Sequence, residues 1–278
     1  KSVKRQMISD VPLGAFLSGG VDSSLITSLM QEESLKPIET FTIGFEESSF
    51  DESVYAKEVA LHLGTQHSEH FVTSKETLDV IPNLPYFYDE PFADSSQIPT
   101  YLVCKQAKQG LTVALSGDGG DEVFGGYNRY FWSSRIWSKV SKIPFPLRKI
   151  IGNGAEIIPQ KVSNLIGAGY NFLNSGNQGI DNLHEKILKM AERLKSVRSE
   201  DDLYKSLITQ WSEPYLLIQD FEDDEEIYFP EIHLTEQAEK MMFWDSISYL
   251  PGDILCKVDR AAMSVSLETR APFLDHEL

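Results

Sequence analysis

Residues 18–24 combine the residue types that bind phosphate. Their sequence, SGGVDSS, joins an apolar run at 13–17 to a helical pattern. A glycine-rich turn at a helix N-terminus binds anions, because free backbone N–H groups and the helix dipole point at the same place. Asp22 repels a phosphate, so we interpret it as a ligand of Mg²⁺ held between carboxylate and phosphate oxygens. The alternative is a Gly-Ser turn before a surface helix.

The same segment lacks the lysine that follows the glycines in the GxxxxGK[ST] loop of ordinary NTPases. It resembles instead the PP-loop, SGGxDS, of ATP pyrophosphatases, which cleave ATP between its α and β phosphates. This resemblance implies that the segment binds ATP.

A second glycine-rich segment, residues 116–127, follows another apolar run at 111–115. Its sequence, SGDGGDEVFGGY, interleaves five glycines with three carboxylates, which is typical of a loop that wraps a ligand. Gly117 lets the backbone approach a nucleotide, and Asp118 and Asp121 are candidates for binding Mg²⁺ or positioning a substrate amine. The alternative is a surface Asp-Gly turn.

A third segment, residues 250–275, has apolar residues at helical spacing. This spacing places Lys257 and Arg260 on or beside the polar flank of the predicted helix. Asp253 lies one turn before Lys257, and by residue type alone a simple ion pair between them explains both.

These segments need a scaffold that brings them together. In the first 130 residues strand patterns alternate with helical ones, which indicates a parallel α/β sheet. The predicted strands are 13–17, 40–45, 66–72 and 111–115, and the predicted helices include 52–63 and about 99–109. In such sheets ligands bind beyond the carboxyl ends of the strands, where both glycine-rich segments fall.

Beyond Tyr130 the strand patterns stop, and residues 131–250 carry helical patterns broken by prolines. We therefore predict two parts, a nucleotide-binding α/β core at 1–130 and a mainly helical region at 131–278. The acidic run 222–226 is interpreted as a solvated loop rather than a cation site.

The composition argues against several classes of protein. The 278 residues are 41% hydrophobic and carry a net charge of −17, which disfavours nucleic acid as the principal partner. No apolar run approaches the roughly 20 residues that a membrane span needs, and no signal-peptide pattern opens the chain. Cys104 and Cys256 lack metal-binding spacing, so we expect buried thiols in a reducing, cytoplasmic setting.

The three segments, in this order, resemble the synthetase domain of glutamine-hydrolysing asparagine synthetases. The stretch KVDRAAMSVSLETRAPFLD at 257–275 carries part of the resemblance, and so does DEPF at 89–92 with the DSS that follows at 94–96. The resemblance covers most of 1–130 and 244–278. It implies an α/β fold like that of the adenine nucleotide alpha hydrolases, with a parallel sheet and helices on both faces.

The resemblance also implies an AMP-forming amide ligase that uses ATP and Mg²⁺. The aspartate β-carboxylate attacks the α-phosphorus, pyrophosphate leaves, and ammonia from glutamine displaces AMP from β-aspartyl-AMP. Asp118 corresponds to an acidic position that matters for forming this intermediate, and Asp121 to a second metal ligand or substrate contact. Attack on the α-phosphorus builds negative charge that enzymes offset with fixed cations, and Lys257 and Arg260 are candidates for this catalytic role. The implied nucleotide-binding residues are Phe16, Leu17, Ser18, Gly19, Gly20, Asp22, Ser23, Ser24, Ile43, Ser116 and Gly117, with Asp22 and Asp121 as metal ligands.

Two features of the family have no counterpart in the 278 residues. One is an N-terminal glutaminase domain with a cysteine nucleophile, and the other is a lysine, beyond the PFLD motif, that stabilises the adenylation transition state. The resemblance therefore implies a glutaminase domain of the same polypeptide as a partner, and it leaves a homodimer open. We expect the 278 residues alone to make asparagine slowly.

Residue types leave other functions open. Related PP-loop amidotransferases share both loops but act on other carboxylates, in antibiotics, peptides or sugars. A tRNA-modifying enzyme or thiotransferase is disfavoured by the acidic balance and the lack of paired cysteines. A nucleotide-binding module without turnover is the alternative from another class.

Overall fold

The computed structural model describes residues 1–45, 51–173, 182–209, 230 and 232–277. The chain divides into two compact units, one formed by residues 1–126 and 242–278 and the other by residues 127–241. The acidic run 222–226 lies outside the described residues. None of the helices in the described ranges is long and apolar enough to cross a membrane.

A parallel sheet forms the centre of the first unit. Its strands in the described residues are β1 (Leu13–Phe16), β2 (Glu39–Phe45), β3 (Gln66–Val72), β4 (Val113–Leu115) and β5 (Glu268–Arg270). They lie in the order β3-β2-β1-β4-β5, and every pair is parallel. The predicted α/β fold class is confirmed.

Helices precede, connect and follow these strands in the first unit. They are α1 (Ser2–Gln6), α2 (Val21–Glu33), α3 (Ser53–Leu63), α4 (Ser74–Val80), α5 (Leu84–Tyr88), α6 (Gln97–Ala107) and α7 (Gly120–Phe124). Helix α3 ends as its sequence predicts, because Gly64 takes a left-handed φ of 72° at the C-cap.

The second unit is helical in its described residues, as predicted. Its helices are α8 (Asn128–Val140), α9 (Phe145–Glu156), α10 (Gln160–Leu173), α11 (Leu183–Ser196) and α12 (Glu200–Ile208). Arg148 of α9 is buried, donates a hydrogen bond to the Val197 carbonyl at 2.9 Å, and lies over the Trp137 ring. The chain then continues through α13 (Gln237–Trp244), a π-helical segment (Asp245–Leu255) and α14 (Cys256–Met263).

Apolar side chains cover both faces of the sheet. On one face Ala15 and Val113 pack with Ile26 of α2. On the other face Ala114 packs with residues of α6 and α14, including Ala262. Successive strand residues point to opposite faces, so each strand contributes to both layers. Helices therefore lie on both faces, as predicted.

Strand β5 differs from the sequence expectation, which placed no strand beyond Tyr130. Its three residues pair with β4, with Val113 opposite Glu268 and Leu115 opposite Arg270. This pairing places the C-terminal segment in the unit that carries the sheet, although the sequence analysis grouped it with the helical region.

Candidate active site

The strand order creates a place for a ligand. β2 and β3 lie on one side of β1, whereas β4 and β5 lie on the other, so the winding direction reverses between β1 and β4. These two strands are paired, with Ala15 opposite Leu115. Open parallel sheets bind ligands beyond the carboxyl ends of the strands at such a reversal. Both glycine-rich segments begin there.

The first glycine-rich segment leaves the N-terminus of α2 open. Gly20 is the N-cap residue, and no side chain caps the first turn. The Ser23 hydroxyl instead accepts a hydrogen bond from the Ser18 amide at 3.2 Å and lies 2.9 Å from the Ser18 hydroxyl. Gly19 has a left-handed φ of 81°, and a Cβ there would lie 2.6 Å from the Ala56 amide nitrogen. The uncapped N–H groups and the helix dipole together favour a bound anion.

The second glycine-rich segment packs directly on the first. A Cβ at Gly120 would lie 2.7 Å from an Asp22 carboxylate oxygen, and one at Gly117 would lie 2.9 Å from the Ser23 amide nitrogen. Only residues without a side chain allow this approach. Gly117 and Gly120 are therefore explained by contact between the two segments, whereas Gly119 has a left-handed φ of 87° and lies against Leu274.

The two segments enclose a cavity of about 720 Å³, within the range of about 300–1000 Å³ that is typical of small-molecule sites. The predicted site residues that line it are Phe16, Ser18, Gly20, Asp22, Ser23, Ser116, Gly117, Asp118 and Asp121. The lining also includes Glu52, Thr100, Val103, Phe124 and Val258, which the sequence analysis did not select. The structure therefore brings most of the predicted phosphate and metal ligands together.

Other predicted residues lie outside this lining. They are Leu17, Gly19, Ser24, Ile43, Lys257 and Arg260. Leu17 is buried against α3, and Ile43 packs against a cluster that includes Val80 of α4. The Ser24 hydroxyl is buried and has no hydrogen-bond partner within the described residues. The predicted nucleotide-binding roles of the first four residues, and the predicted catalytic roles of Lys257 and Arg260, stay predictions.

Asp22, Asp118 and Asp121 of the two glycine-rich segments concentrate negative charge in the cavity, which Glu52 also lines. Burial, followed by the charge of Asp121, raises the pKa of Asp22 above its ordinary value. Burial also raises the pKa of Asp118, although a hydrogen bond with Ser116 and the charge of Lys257 act in the opposite direction. A bound cation would relieve this repulsion.

The donor set fits Mg²⁺ bound together with a phosphate. Mg²⁺ is usually held by one or two carboxylates plus substrate phosphate oxygens. Asp22 and Asp121 offer such carboxylates, and the charge of Asp121 adds to the effect of burial in raising the pKa of Asp22. Within the described ranges no group of three or more His, Cys, Asp and Glu residues could hold a metal ion.

Lys257 is buried, at 8% exposure, rather than on a polar flank as predicted. Its Nζ lies 2.6 Å from Asp94 Oδ2 and 2.8 Å from Ser96 Oγ. The reason is that α14 packs against α6, so this flank of the helix faces the start of α6. Its ionic partner is therefore Asp94 and not Asp253. Burial raises the pKa of Asp94, but hydrogen bonds from Lys257 and Ser96 outweigh that effect and hold the pKa at about 2.

Arg260 lies beside a second cavity. Its guanidinium forms an ion pair with Asp89, and it lines a space of about 490 Å³. The linings of the two cavities share Ser116, Asp118 and Val258. Asp118 can therefore contact ligands in either cavity.

Known proteins resemble the whole chain. The family model described as asparagine synthase matches residues 1–278. The chain is 37% identical over 276 residues to a glutamine-hydrolysing asparagine synthetase 1 of Bacillus subtilis, covering 99% of this chain and 40% of the relative. It is 39% identical over 207 residues to a putative glutamine-hydrolysing asparagine synthetase 2 of Methanocaldococcus jannaschii, covering 74% of this chain and 36% of the relative. The chain thus spans at most 40% of the length of either curated relative.

Proposed function

Because the chain belongs to the asparagine synthase family, we propose that it is the synthetase part of an ATP-dependent, AMP-forming amide ligase that converts aspartate to asparagine. The observation that carries this proposal is the packing of two glycine-rich segments at the reversal point of the sheet. Together they present an uncapped helix N-terminus and three carboxylates to one cavity.

In this proposal the phosphates of ATP bind at the N-terminus of α2. The backbone N–H groups of its first turn and the hydroxyl of Ser18 are the donors. Asp22 and Asp121 would hold Mg²⁺ together with phosphate oxygens, and the metal would supply positive charge to offset that of the leaving pyrophosphate. Phe16 and Val103 supply apolar surface in the same cavity.

The reaction proceeds in two steps. A β-carboxylate oxygen of aspartate attacks the α-phosphorus, and the bond between the α-phosphorus and the bridging oxygen breaks to release pyrophosphate. Ammonia then attacks the acyl carbon, loses a proton, and AMP leaves with the oxygen that came from aspartate. Asp118, which both cavities share, positions the amine of aspartate for the first step.

The source of ammonia is also part of the proposal. The curated relatives are described as glutamine-hydrolysing, so we propose that a glutaminase domain of the same polypeptide delivers ammonia to this site.

A cytoplasmic setting is supported by two free cysteines, Cys104 and Cys256.

The experiment is exchange of labelled pyrophosphate into ATP, measured with and without aspartate. Adenylation is reversible, so a ligase exchanges label only when its carboxylate substrate is present. Aspartate-dependent exchange supports the proposal, whereas exchange with another carboxylate assigns a different acceptor. ATP binding without exchange under any condition would identify a binding module.

A further inference from the structure

We propose that Asp94 and Ser96 are positioning residues for the ligase reaction, acting through Lys257 to fix the walls of the two cavities around Asp118. We call these three residues the Lys257 clasp. The inference deepens the proposed function and rests on it.

The clasp is a closed set of hydrogen bonds. The Lys257 ammonium donates to Asp94 Oδ2 and Ser96 Oγ, and the Ser96 hydroxyl donates to Asp94 Oδ2 at 2.7 Å. The Ser96 amide donates to Asp94 Oδ1 at 2.8 Å. Both carboxylate oxygens of Asp94 therefore accept hydrogen bonds, and each of the three side chains restricts the conformations of the other two.

The clasp lies behind both cavities rather than in them. Ser96 is the N-cap residue of α6, and its carbonyl accepts a hydrogen bond from Thr100, which lines the first cavity. Lys257 directly precedes Val258, which lines both cavities. A second anchor comes from Tyr88, whose hydroxyl donates to the Lys257 carbonyl at 3.2 Å. The clasp thus fixes the start of α6 against α14.

The clasp also fixes a positive charge near Asp118. The Lys257 charge stabilises the ionised form of Asp118, which burial and the charge of Asp121 disfavour. Lys257 lies outside the lining of both cavities and has Asp94 as its ion-pair partner. We therefore assign it an effect on Asp118 and on the cavity walls, exerted without contact with substrate.

The test separates this role from simple stabilisation. Asp94→Asn alone leaves a buried ammonium without its counter-ion, which destabilises a protein strongly. The double variant Asp94→Asn with Lys257→Met removes both charges, and such neutral replacements of buried pairs are often tolerated. Ser96→Ala removes one hydroxyl and leaves the ion pair. The matched control is Glu156→Gln with Lys195→Met, which removes an ion pair between α9 and α11 in the second unit.

The measurements are the melting temperature, the Kd for MgATP and the rate of aspartate-dependent pyrophosphate exchange. We expect the double variant to melt near the parent and to keep its MgATP affinity, while its exchange rate falls about 100-fold, the cost of a displacement of about 1 Å at a reacting centre. Ser96→Ala should lose rate with an unchanged melting temperature, and the control should keep both.

The proposal is overturned if the double variant and Ser96→Ala both keep an exchange rate within about threefold of the parent. It is also overturned if both variants fail to fold, because the clasp would then serve stability alone. A parent protein without aspartate-dependent exchange overturns the proposed function itself, and the clasp's role with it. An active parent with active variants overturns only the clasp.

Discussion

Gly117 packs against the backbone of Ser23, so that a Cβ at Gly117 would lie 2.9 Å from the Ser23 amide nitrogen. Ser23 belongs to the first turn of α2, whose N–H groups form the proposed phosphate site. The second glycine-rich segment therefore closes directly over the first. This contact makes the two segments one site, although 91 residues of the chain lie between them.

Gly117→Ala should disrupt this site. The added methyl group must displace the Ser23 amide or the second segment, and overpacking of this kind costs about 1–3 kcal/mol. We expect MgATP affinity, measured by calorimetry, to fall at least about tenfold.

The matched control for this change is Gly154→Ala in α9. A Cβ at Gly154 would meet nothing within 4 Å, and alanine is favoured over glycine in a helix by about 1 kcal/mol. The control should keep MgATP affinity and melt slightly higher. Equal affinity in the parent and Gly117→Ala would show that the two segments do not form one phosphate site.

Asp22→Asn should act through the metal. The change removes a hard oxygen ligand, and even outer-shell partners of metals are worth about 10- to 100-fold in affinity. Calorimetry should show a loss of at least about tenfold for MgATP, with little change for metal-free ATP.

Glu32→Gln removes one carboxylate from the other end of α2 and serves as the control. It should leave both affinities unchanged. If Asp22→Asn weakens MgATP and metal-free ATP equally, Asp22 has a structural role instead.

Asp118→Asn should impair chemistry more than ATP binding. The substitution keeps the shape of a side chain shared by both cavities and removes its charge. We expect pyrophosphate exchange to fall about 100-fold or more, because the aspartate amine loses its positioning partner. Calorimetry should give a nearly unchanged Kd for MgATP. An unchanged exchange rate would show that the second glycine-rich segment supports the structure of the site and takes no part in the chemistry.

Asp94 should give the protein an acid-sensitive contribution to stability. Its pKa of about 2 lies below the ordinary value, so the folded state favours the ionised form, and the contribution is present above about pH 4. It is lost as the pH falls from about 4 towards 2, because both states then become protonated. The lost contribution is no more than about 2 kcal/mol.

The measurement for Asp94 is the free energy of urea unfolding at pH 7, 4 and 3 for the parent and Asp94→Asn. The variant should be less stable at pH 7, and the difference should narrow below pH 4. A difference independent of pH would contradict the low pKa.

Local patterns predicted much of the fold. Strand β3 has the predicted bounds, and β1, β2 and β4 lie within two residues of theirs, because buried apolar runs and their turns are local features. Strand β5 has only three residues, Glu268 to Arg270, and no apolar run. Its conformation depends on pairing with β4, which is distant in the chain.

The candidate site was also predictable from local sequence patterns only in part. Asp22 and Asp121 lie in segments whose glycines and carboxylates reveal a ligand site without any knowledge of packing. Thr100 and Val258 line the cavity only because α6 and α14 pack on the sheet, which no local pattern specifies. The burial of Lys257 has the same origin, since its partner Asp94 is distant in sequence.

The central claim is that aspartate attacks the α-phosphorus of ATP at this site. The most direct test supplies aspartate labelled with ¹⁸O in its β-carboxylate, together with MgATP and ammonium, and analyses AMP and pyrophosphate by mass spectrometry. The proposed reaction transfers one ¹⁸O atom to AMP and none to pyrophosphate. AMP that forms without ¹⁸O, or label found in pyrophosphate, would contradict it.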